Sequence, residues 1–430
     1  MDFKDNPVIH KTLLNLYGVC RLTLSKILII LTLIFLFGCI PQIREAALKP
    51  APEIRVLLNT ITNLDSIIFN SVYELKAEEA KYEFGKNNRH IYIEPLESGY
   101  RIFNENRIFK FTKNDAVYFN SGDDKGFFTY QGKRYKGDIF ITQTPQPDLK
   151  IINRLDLEEY LKSVVPSEMP AQKSAYYEAL KAQAICARTY ALKKMDERKD
   201  QSFDVYNDHR DQVYGGLKSQ TTLASNAVIE TRGDVIMFND KLADIFYHST
   251  SGGMLESAEN VWPDYKQPYL KSRQDAIGKT FADENSPYFR WSDTLTIKEI
   301  NSIFNHRFNK SYLNQIVQDT TELVFDAQVL SRTSSGRVNE LQISYGDTSF
   351  TLHGNEIRSF FRLPNGQGLP STLFTIKSIS DSLMVINGGG FGHGVGMSQF
   401  GAMNMSEKGF KYYDILVNKY FLGTYLKKAY

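Results

Sequence analysis

Cysteine is scarce in this chain, and its scarcity excludes two kinds of stabilising framework. Only three of the 430 residues are cysteines, namely Cys20, Cys39 and Cys186. Neither a disulfide scaffold nor a CxxC zinc site can be built from them. Cys186 lies among alanines in a helical pattern, which predicts a small buried side chain.

An excess of charge of one sign is also missing. The 51 basic and 49 acidic residues leave a formal charge of +2. A nucleic-acid surface usually appears as net basicity or a basic run, so no nucleic-acid partner is predicted. Aromatic residues are plentiful instead, at 13% of the chain. Aromatic surfaces suit stacking on sugar rings, although core packing accounts for most of these residues.

Three familiar catalytic signatures are absent. Ser251 lacks the GxSxG frame of a nucleophile elbow, which argues against a serine hydrolase. The glycine-rich loop 388–396 lacks the Lys-Ser/Thr of a P-loop, which argues against nucleotide binding. No HExxH occurs, so a zinc hydrolase built from Glu168, His248 and His393 stays open only as an alternative.

A single long apolar run lies near the amino terminus. Residues 27–40 read ILIILTLIFLFGCI, a run of 14 that follows Lys11, Arg21 and Lys26. A membrane-spanning helix needs about 20 residues, so the run predicts a signal peptide. Its end, LFGC, resembles a lipobox in which Cys39 becomes the lipidated first residue. The sequence therefore predicts export to the cell envelope and a membrane anchor there, with an uncleaved anchor as the alternative.

Composition and periodicity divide the chain into several regions. The predicted signal peptide covers residues 1–39, and a tether follows at 40–52. Short alternating runs separated by polar turns predict a β-rich region over 53–150. Residues 151–430 mix helical and strand patterns, with a smaller lobe at 294–375. The predicted fold class is α+β, with the β-rich region packed on a mixed sheet-and-helix core.

A lone carboxylate is held in the segment VVPSEMPAQ, residues 164–172. Glu168 lies between Pro166 and Pro170, and a helical pattern follows over 175–195. The two prolines restrict the backbone, so we expect them to hold Glu168 in place. Burial in an apolar pocket would keep such a carboxyl protonated.

The helical pattern that follows presents two different faces. Lys181 and Arg188 are seven residues apart, which places them on one face, and a solvated flank is the ordinary interpretation. Small apolar residues form a separate narrow stripe that allows close packing: Leu180, Ala184, Ala187 and Ala191.

Two later motifs carry further candidate ligand-binding residues. In FYHSTSGG, a strand ends at His248 and Ser249 in a turn where backbone can approach a ligand closely. In GGGFGHGVGMSQFGA, residues 388–402, a glycine loop presents His393 and Gln399. A structural histidine in a tight loop explains the second motif equally well.

Taken in order, these motifs resemble the SpoIID/LytB family, which includes stage II sporulation protein D and the amidase enhancer. The resemblance rests on VVPSEMP, EALKAQAICARTYAL, FYHSTSGG with AENVW, SPYFRW and GFGHGVGMSQFGA. It extends through SSGRV, TLHGNEIRSFF and STLFTIK, and so over most of residues 51–430. The resemblance implies an exported or membrane-anchored cell-wall protein with a SpoIID-like core.

The resemblance implies a lytic transglycosylase that acts on peptidoglycan glycan strands, with Glu168 as the essential residue. A hydrolase normally needs two carboxylates. In a lytic transglycosylase the C6 hydroxyl of the same muramic acid attacks, so one carboxyl can serve as acid and then as base. The alternative within the family is a non-catalytic enhancer that grips glycan and stimulates a peptidoglycan amidase.

The same resemblance places the family's helical cations on Lys181 and Arg188. Strands stripped of stem peptides carry a free lactyl carboxylate, and a guanidinium suits its bidentate recognition. We therefore expect Arg188, helped by Lys181, to select stripped strands. The remaining predicted substrate-binding residues are His248, Ser249, Tyr288, His393 and Gln399. Trp262, Tyr288 and Trp291 are the candidate sugar platforms.

No cofactor is predicted. Some sporulation members carry a cysteine-and-histidine zinc site before QVYGG, but this chain has no cysteine there. Asp208, His209 and Asp211 have the donor atoms for a metal without a diagnostic spacing. The expected partners are peptidoglycan glycan strands and the membrane through the lipid anchor, and the enhancer alternative adds a peptidoglycan amidase.

Overall fold

The structure is a computed structural model. It describes residues 49–77, 80–85, 89–122, 126–296, 298–300, 302–303, 325–345, 348–361, 366–379 and 383–430. The apolar run, Cys39 and most of the tether lie outside these residues. From Lys49 onward, none of the helices described is long and apolar enough to cross a membrane. Residues Ala51–Tyr430 form one compact unit, which is the subject of the following account.

Strands dominate this unit. In chain order they are β1 (Glu53–Ile61), β2 (Asp65–Phe69), β3 (Tyr73–Ala77), β4 (Ala80–Phe84), β5 (His90–Leu96), β6 (Gly99–Phe103), β7 (Ile108–Thr112), β8 (Ala116–Ser121), β9 (Phe127–Tyr130), β10 (Lys133–Lys136), β11 (Asp138–Gln143), β12 (Leu149–Asp156), β13 (Val205–Tyr206), β14 (Asp234–Phe238), β15 (Lys241–Leu242), β16 (Tyr247–His248), β17 (Met254–Leu255), β18 (Arg273–Gln274), β19 (Ala276–Ile277), β20 (Thr280–Phe281), β21 (Trp291–Thr296), β22 (Phe325–Arg332), β23 (Val338–Tyr345), β24 (Thr348–His353), β25 (Phe374–Ile379), β26 (Leu383–Gly388), β27 (Met397–Ser398) and β28 (Tyr425–Lys428).

Helices are fewer and are concentrated around the candidate site. Those with both ends among the described residues are α1 (Leu157–Glu168), α2 (Tyr177–Glu197), α3 (Thr222–Glu230), α4 (Asn355–Phe360), α5 (Gln399–Glu407) and α6 (Tyr412–Ile415). Short 3₁₀ turns cover Ser174–Tyr176, Gly216–Ser219 and Ala258–Asn260, and a π turn covers Leu416–Tyr420.

The amino-terminal strands form two sheets. One has seven strands in the order β13-β1-β12-β11-β8-β3-β4, and the other has six in the order β10-β9-β2-β5-β6-β7. Burial alternates along the strands, as in β11, where Ile139, Ile141 and Gln143 are the buried residues. Phe69 packs against Tyr73 and Phe119 in the shared core. The prediction of a sheet-rich, mixed α+β protein is confirmed.

Strand β12 leads directly into the helical part. Asp156 caps α1 by accepting hydrogen bonds from the backbone N–H groups of Glu158 and Glu159 at 2.8 and 3.2 Å. Helix α2 packs between α1, α3 and α5. Its apolar stripe is fully buried, and so is Cys186, because small side chains let the neighbouring helices approach closely: Leu180, Ala184, Ala187 and Ala191.

The position of Glu168 differs from the expected short segment between prolines. Pro166 lies inside α1, and Glu168 is the last residue of that helix. Pro166 supplies no backbone N–H to the last turn, and the chain becomes extended at Met169. Glu168 is therefore held by a helix end rather than by a proline-bracketed loop.

A second hydrophobic core lies toward the carboxyl terminus, between Leu295 and Ile386. It is enclosed by two three-stranded sheets, with orders β21-β26-β25 and β22-β23-β24, together with α4. Strand β26 pairs with β21 from Trp291 to Thr296, so the strands around this core extend on both sides of 294–375.

The two histidine motifs are joined by a parallel pairing. Strand β16 pairs with β27, which aligns His248 with Ser398. Gly396, immediately before β27, has φ +74°, and a Cβ there would lie 2.1 Å from the Phe246 carbonyl oxygen. Only glycine permits this approach, and it brings the His393 loop against the end of β16.

Candidate active-site cleft

A cleft of about 800 Å³ lies where α1, α2, the 209–213 loop and the two histidine motifs meet. It brings together five of the residues that the sequence predicted: Glu168, His248, Ser249, His393 and Gln399. The other three predicted substrate-binding residues, Lys181, Arg188 and Tyr288, are not part of its lining.

Glu168 is partly buried in the cleft wall. Its Oε1 accepts a hydrogen bond from the backbone N–H of Val213 at 2.7 Å, and Oε2 has no hydrogen-bond partner among the described residues. Burial raises the pKa of Glu168, an effect that the Val213 hydrogen bond and the nearby His209 oppose. The carboxyl is thus biased toward its protonated form and has an oxygen available to a ligand.

The other carboxylates of the cleft are bound to cations. Glu197 pairs with Lys194 at 2.6 Å, and Asp244 pairs with Lys193. Asp211 pairs with Arg198 at 2.7 Å. Among the described residues of the lining, Glu168 is the carboxylate without such a partner.

The loop that carries Val213 is fixed by Asp211. Its carboxylate accepts hydrogen bonds from the hydroxyl of Tyr190 at 2.7 Å and the backbone N–H of Tyr206 at 2.8 Å, besides the contact with Arg198. This residue was noted in the sequence only as a weak metal ligand. The hydrogen bonds that Asp211 accepts from Tyr190 and Arg198 attach this loop to α2.

The neighbouring Gln212 is fully buried and joins three elements. Its Oε1 accepts from the hydroxyl of Tyr160 at 3.1 Å, and its Nε2 donates to the hydroxyl of Tyr247 at 3.1 Å and the carbonyl of Ala187 at 3.3 Å. Sequence reasoning missed this residue, since a buried amide has no local sequence signature. Asp211 and Gln212 together hold the Val213 N–H toward Glu168.

The two motif histidines have opposite proton arrangements. His248 Nδ1 lies 3.0 Å from the Val395 carbonyl oxygen, so it carries the proton, and the buried Nε2 has no partner within the described structure. His393 Nδ1 instead accepts from the Val395 N–H at 3.0 Å. Burial lowers the pKa of His248 well below its usual value and lowers that of His393 to about 3. Both rings are therefore neutral at physiological pH.

The aromatic candidates differ in position. Trp262 lines the cleft, stacked on Phe246 with ring centroids 4.4 Å apart. Tyr288 stacks on the cleft residue Phe391 with ring centroids 4.6 Å apart, and it is exposed but is not part of the lining. Trp291 donates its indole N–H to the Gly390 carbonyl at 3.0 Å, which is a structural role. Trp262 is the one of these three placed to meet a sugar ring directly.

Arg188 requires a correction. Its side chain has no exposed surface, and its Nε and Nη2 each donate to Glu158 at 2.8 Å. Further hydrogen bonds reach the backbone carbonyls of Asp234 and Val228. The expected contact between Arg188 and a substrate carboxylate is wrong, because this guanidinium is enclosed in a buried ion pair.

Lys181 does not reach the cleft either. It pairs with Glu230 at 2.7 Å and with Glu178 at 3.5 Å, and its ammonium lies 4.6 Å from the ring centroid of Tyr177. These contacts lie outside the cleft lining, so the geometry lends no support to the expected assistance to Arg188 in substrate binding.

The candidate metal ligands do not converge. Asp208 pairs with Arg210 at 2.7 Å, and His209 is exposed. In the part of the chain that the structure describes, no group of three or more His, Cys, Asp or Glu side chains is placed to hold a metal ion. The zinc-hydrolase alternative, with Glu168, His248 and His393 as ligands, gains no support from this geometry.

Arg358 lines the cleft and was missed in the sequence, where NEIRSFF carried only the family resemblance. It comes from α4 in the second core and donates its Nε–H to the Leu369 carbonyl at 3.0 Å. Burial lowers its pKa. No sequence signal distinguished it from the other arginines of the chain.

Comparison with known proteins gives a consistent result. Residues 146–238 match the family model described as stage II sporulation protein, SpoIID, and residues 276–396 match a domain of unknown function. Stage II sporulation protein D of Bacillus subtilis is 32% identical over 294 residues, which cover 65% of this chain and 76% of that protein. An uncharacterised protein of Brachyspira hyodysenteriae is 29% identical over 84% of this chain and 90% of its own length. The amidase enhancer of Bacillus subtilis is 30% identical over 69% of this chain, but the match covers only 44% of that relative.

Proposed function

The chain belongs to the SpoIID/LytB family of cell-wall proteins, and we propose that it is a lytic transglycosylase that cleaves peptidoglycan glycan strands with Glu168 as its acid and base. One observation carries the proposal. Of the four carboxylates in the cleft, Glu168 alone has no cationic partner among the described residues, and burial raises its pKa.

The reaction needs only this one carboxyl. Protonated Glu168 donates its proton to the glycosidic oxygen as the bond from that oxygen to C1 of muramic acid breaks. The C6 hydroxyl oxygen of the same sugar bonds to C1, and its proton passes to the Glu168 carboxylate. The acid is regenerated, no water is consumed, and the product has a 1,6-anhydro end.

The other carboxylates are poorly suited to activating water. A hydrolytic glycosidase uses a second free carboxylate as base or nucleophile. Glu197, Asp211 and Asp244 are each paired with a lysine or an arginine, so at least one oxygen of each carboxylate is already engaged by a cation. This arrangement supports intramolecular attack over hydrolysis.

Product analysis tests the proposal. Full-length protein in mild detergent is incubated with amidase-stripped glycan strands, and the sugar ends are examined by mass spectrometry. We expect ends lighter by one water with the wild type and none with Glu168→Gln. Glu259→Gln is the matched control, because Glu259 pairs with Lys271 outside the cleft. Ordinary reducing ends would show that the enzyme hydrolyses the strands, and the proposal would then be wrong.

A second candidate function follows from the amidase enhancer among the relatives. In this case the cleft grips glycan without cutting it, and a separate peptidoglycan amidase is stimulated. The same incubation separates the two functions. Bound but intact strands, together with faster release of stem peptides by an added amidase, would favour the enhancer.

We also propose that the protein acts in the cell envelope, anchored through a lipid on Cys39. The proposal rests on the apolar run and LFGC sequence that precede the described residues. Labelling with a radioactive fatty acid tests it. Incorporation that Cys39→Ser abolishes is expected, whereas a membrane-bound but unlabelled wild type would indicate an uncleaved anchor.

A further inference from the structure

We propose that Arg358 forms a carboxylate-binding subsite in the wall of the cleft, supplied by the second hydrophobic core. The inference rests on the proposed function for the identity of the ligand. It assigns to Arg358 the anion recognition that Arg188 is too deeply buried to perform.

Two contacts hold the arginine in place. Its Nε–H donates to the Leu369 carbonyl at 3.0 Å, and its own backbone carbonyl accepts from the Leu369 N–H at 3.0 Å. The terminal nitrogens, Nη1 and Nη2, have no partner among the residues that the structure describes. The hydrogen bond from Nε therefore orients the guanidinium, and the N–H groups of Nη1 and Nη2 are available to a ligand.

The charge of Arg358 is not balanced locally. Three other cations in the lining pair with carboxylates: Lys193 with Asp244, Lys194 with Glu197, and Arg210 with Asp208. Arg358 has no such pair within the described ranges. A partly buried cation without a counter-ion is unfavourable on its own and becomes favourable when an anion enters.

The surroundings agree with an uncompensated cation. Burial lowers the pKa of Arg358, and no acidic group opposes that effect. The same charge contributes, after burial, to lowering the pKa of His393, which lines the cleft nearby. By contrast, the buried Arg337 has the charges of Glu256 and Asp283 beside it.

A carboxylate is the ligand that matches this geometry. A guanidinium with free outer N–H groups binds a planar carboxylate through parallel hydrogen bonds. Glycan strands present that group on muramic acid, either as the free lactyl carboxylate of stripped strands or as the carboxylates of a stem peptide. The neutral N-acetylglucosamine units offer none.

The test measures binding of full-length protein in mild detergent, in a Glu168→Gln background that prevents cleavage. The probes are stripped strands, the same strands with carboxyls converted to methyl amides, and peptide-bearing strands. Arg358→Gln should weaken binding of stripped strands roughly 10- to 100-fold and leave the methyl-amide strands unaffected. Arg332→Gln is the matched control, because Arg332 also donates to backbone carbonyls but lies outside the cleft.

The outcomes are distinguishable. A loss confined to stripped strands identifies the lactyl carboxylate, and a loss confined to peptide-bearing strands identifies the stem peptide. If Arg358→Gln loses the same affinity for native strands as for methyl-amide strands, the carboxylate subsite is wrong, although glycan binding by the cleft is still supported. If the parent binds none of the strands, the proposed function fails with it. If Arg358→Gln does not fold, the Glu168→Gln protein still tests the subsite. Methyl amidation of the strands must then weaken the binding of this protein by a similar factor.

Discussion

Arg188 and Glu158 form a bidentate ion pair inside the protein, with both N–O distances at 2.8 Å. The pair joins α2 to the first turn of α1, the helix that ends in Glu168. The hydroxyl of Tyr430 and the N–H of Gly233 also donate to Glu158. Burial alone would raise the pKa of Glu158. The hydrogen bond and charge of Arg188, together with the other two donors, outweigh the burial and lower this pKa.

Arg188→Ala should destabilise the fold rather than change strand preference. Removing one partner leaves a buried uncompensated carboxylate, at a cost of about 3–5 kcal/mol. The shift of the urea midpoint measures the loss. Lys181→Ala is the matched control on the same helix, where a part-exposed pair contributes about 0–1 kcal/mol. If the Arg188→Ala protein were fully stable and lost affinity for stripped strands alone, Arg188 would after all be the residue that selects those strands.

Activity should fall as pH rises through the raised pKa of Glu168. The reaction needs the protonated acid, and burial shifts its titration above the ordinary range of a glutamic acid. The alkaline limb of kcat/KM measured on stripped strands reports that group in the free enzyme. A limb at the usual glutamate pKa, or a profile unchanged in Glu168→Asp, would exclude Glu168 as the titrating acid.

Sequence patterns predicted those features of the site that depend on neighbouring residues in the chain. The stripe from Leu180 to Ala191 is buried as its spacing indicated, because helical periodicity depends only on near neighbours. Glu168 and the two histidines were found because each lies in a motif of its own. The cleft that unites them depends on long-range pairing, such as β16 with β27.

The errors have the same origin. Arg188 was assigned to substrate through the family resemblance, and nothing in the sequence indicated its counter-ion, because Glu158 lies 30 residues upstream and has no visible pattern with it. Arg358 was overlooked because it reaches the cleft from a different hydrophobic core. The Val213 N–H that contacts Glu168 is a backbone group, which residue types cannot reveal.

Glu168→Gln should leave the protein at least as stable as the wild type at neutral pH. A carboxyl whose pKa is raised in the folded state favours folding below its unfolded pKa, and that contribution disappears as pH rises through the folded value. Ionisation of the wild-type carboxyl places a charge in a buried site at a cost in folding free energy, which the amide avoids. Urea midpoints of the two proteins at acid and neutral pH compare them. A variant that is less stable at both pH values would contradict the cause assigned to the pKa shift.

Asp211→Asn should lower kcat while changing KM little. The substitution weakens the contacts with Arg198 and Tyr190, so the loop no longer fixes the Val213 N–H on Glu168. Misplacement of a catalytic group on this scale reduces the rate roughly 10- to 100-fold. The alkaline limb should also move to higher pH, because the Val213 hydrogen bond lowers the pKa of Glu168.

Asp208→Asn makes the same chemical change in the same loop and serves as the control. Asp208 pairs with Arg210 at the surface, where such pairs contribute little. An equal loss of kcat in both variants would mean that loop charge, rather than anchoring by Asp211, determines the rate.

Gly396→Ala should disrupt the cleft, whereas Gly409→Ala should be tolerated. Both glycines have positive φ, +74° and +86°, so both substitutions carry the backbone penalty of about 1–2 kcal/mol. At Gly396 the new Cβ would also lie 2.1 Å from the Phe246 carbonyl oxygen, while at Gly409 nothing lies within 4 Å. The clash must separate β16 from β27 and move His248 away from the His393 loop. A larger loss of urea stability for Gly396→Ala, accompanied by loss of strand binding, is the expected result. Equal stability of the two variants would show that the close approach does not hold the two histidine motifs together.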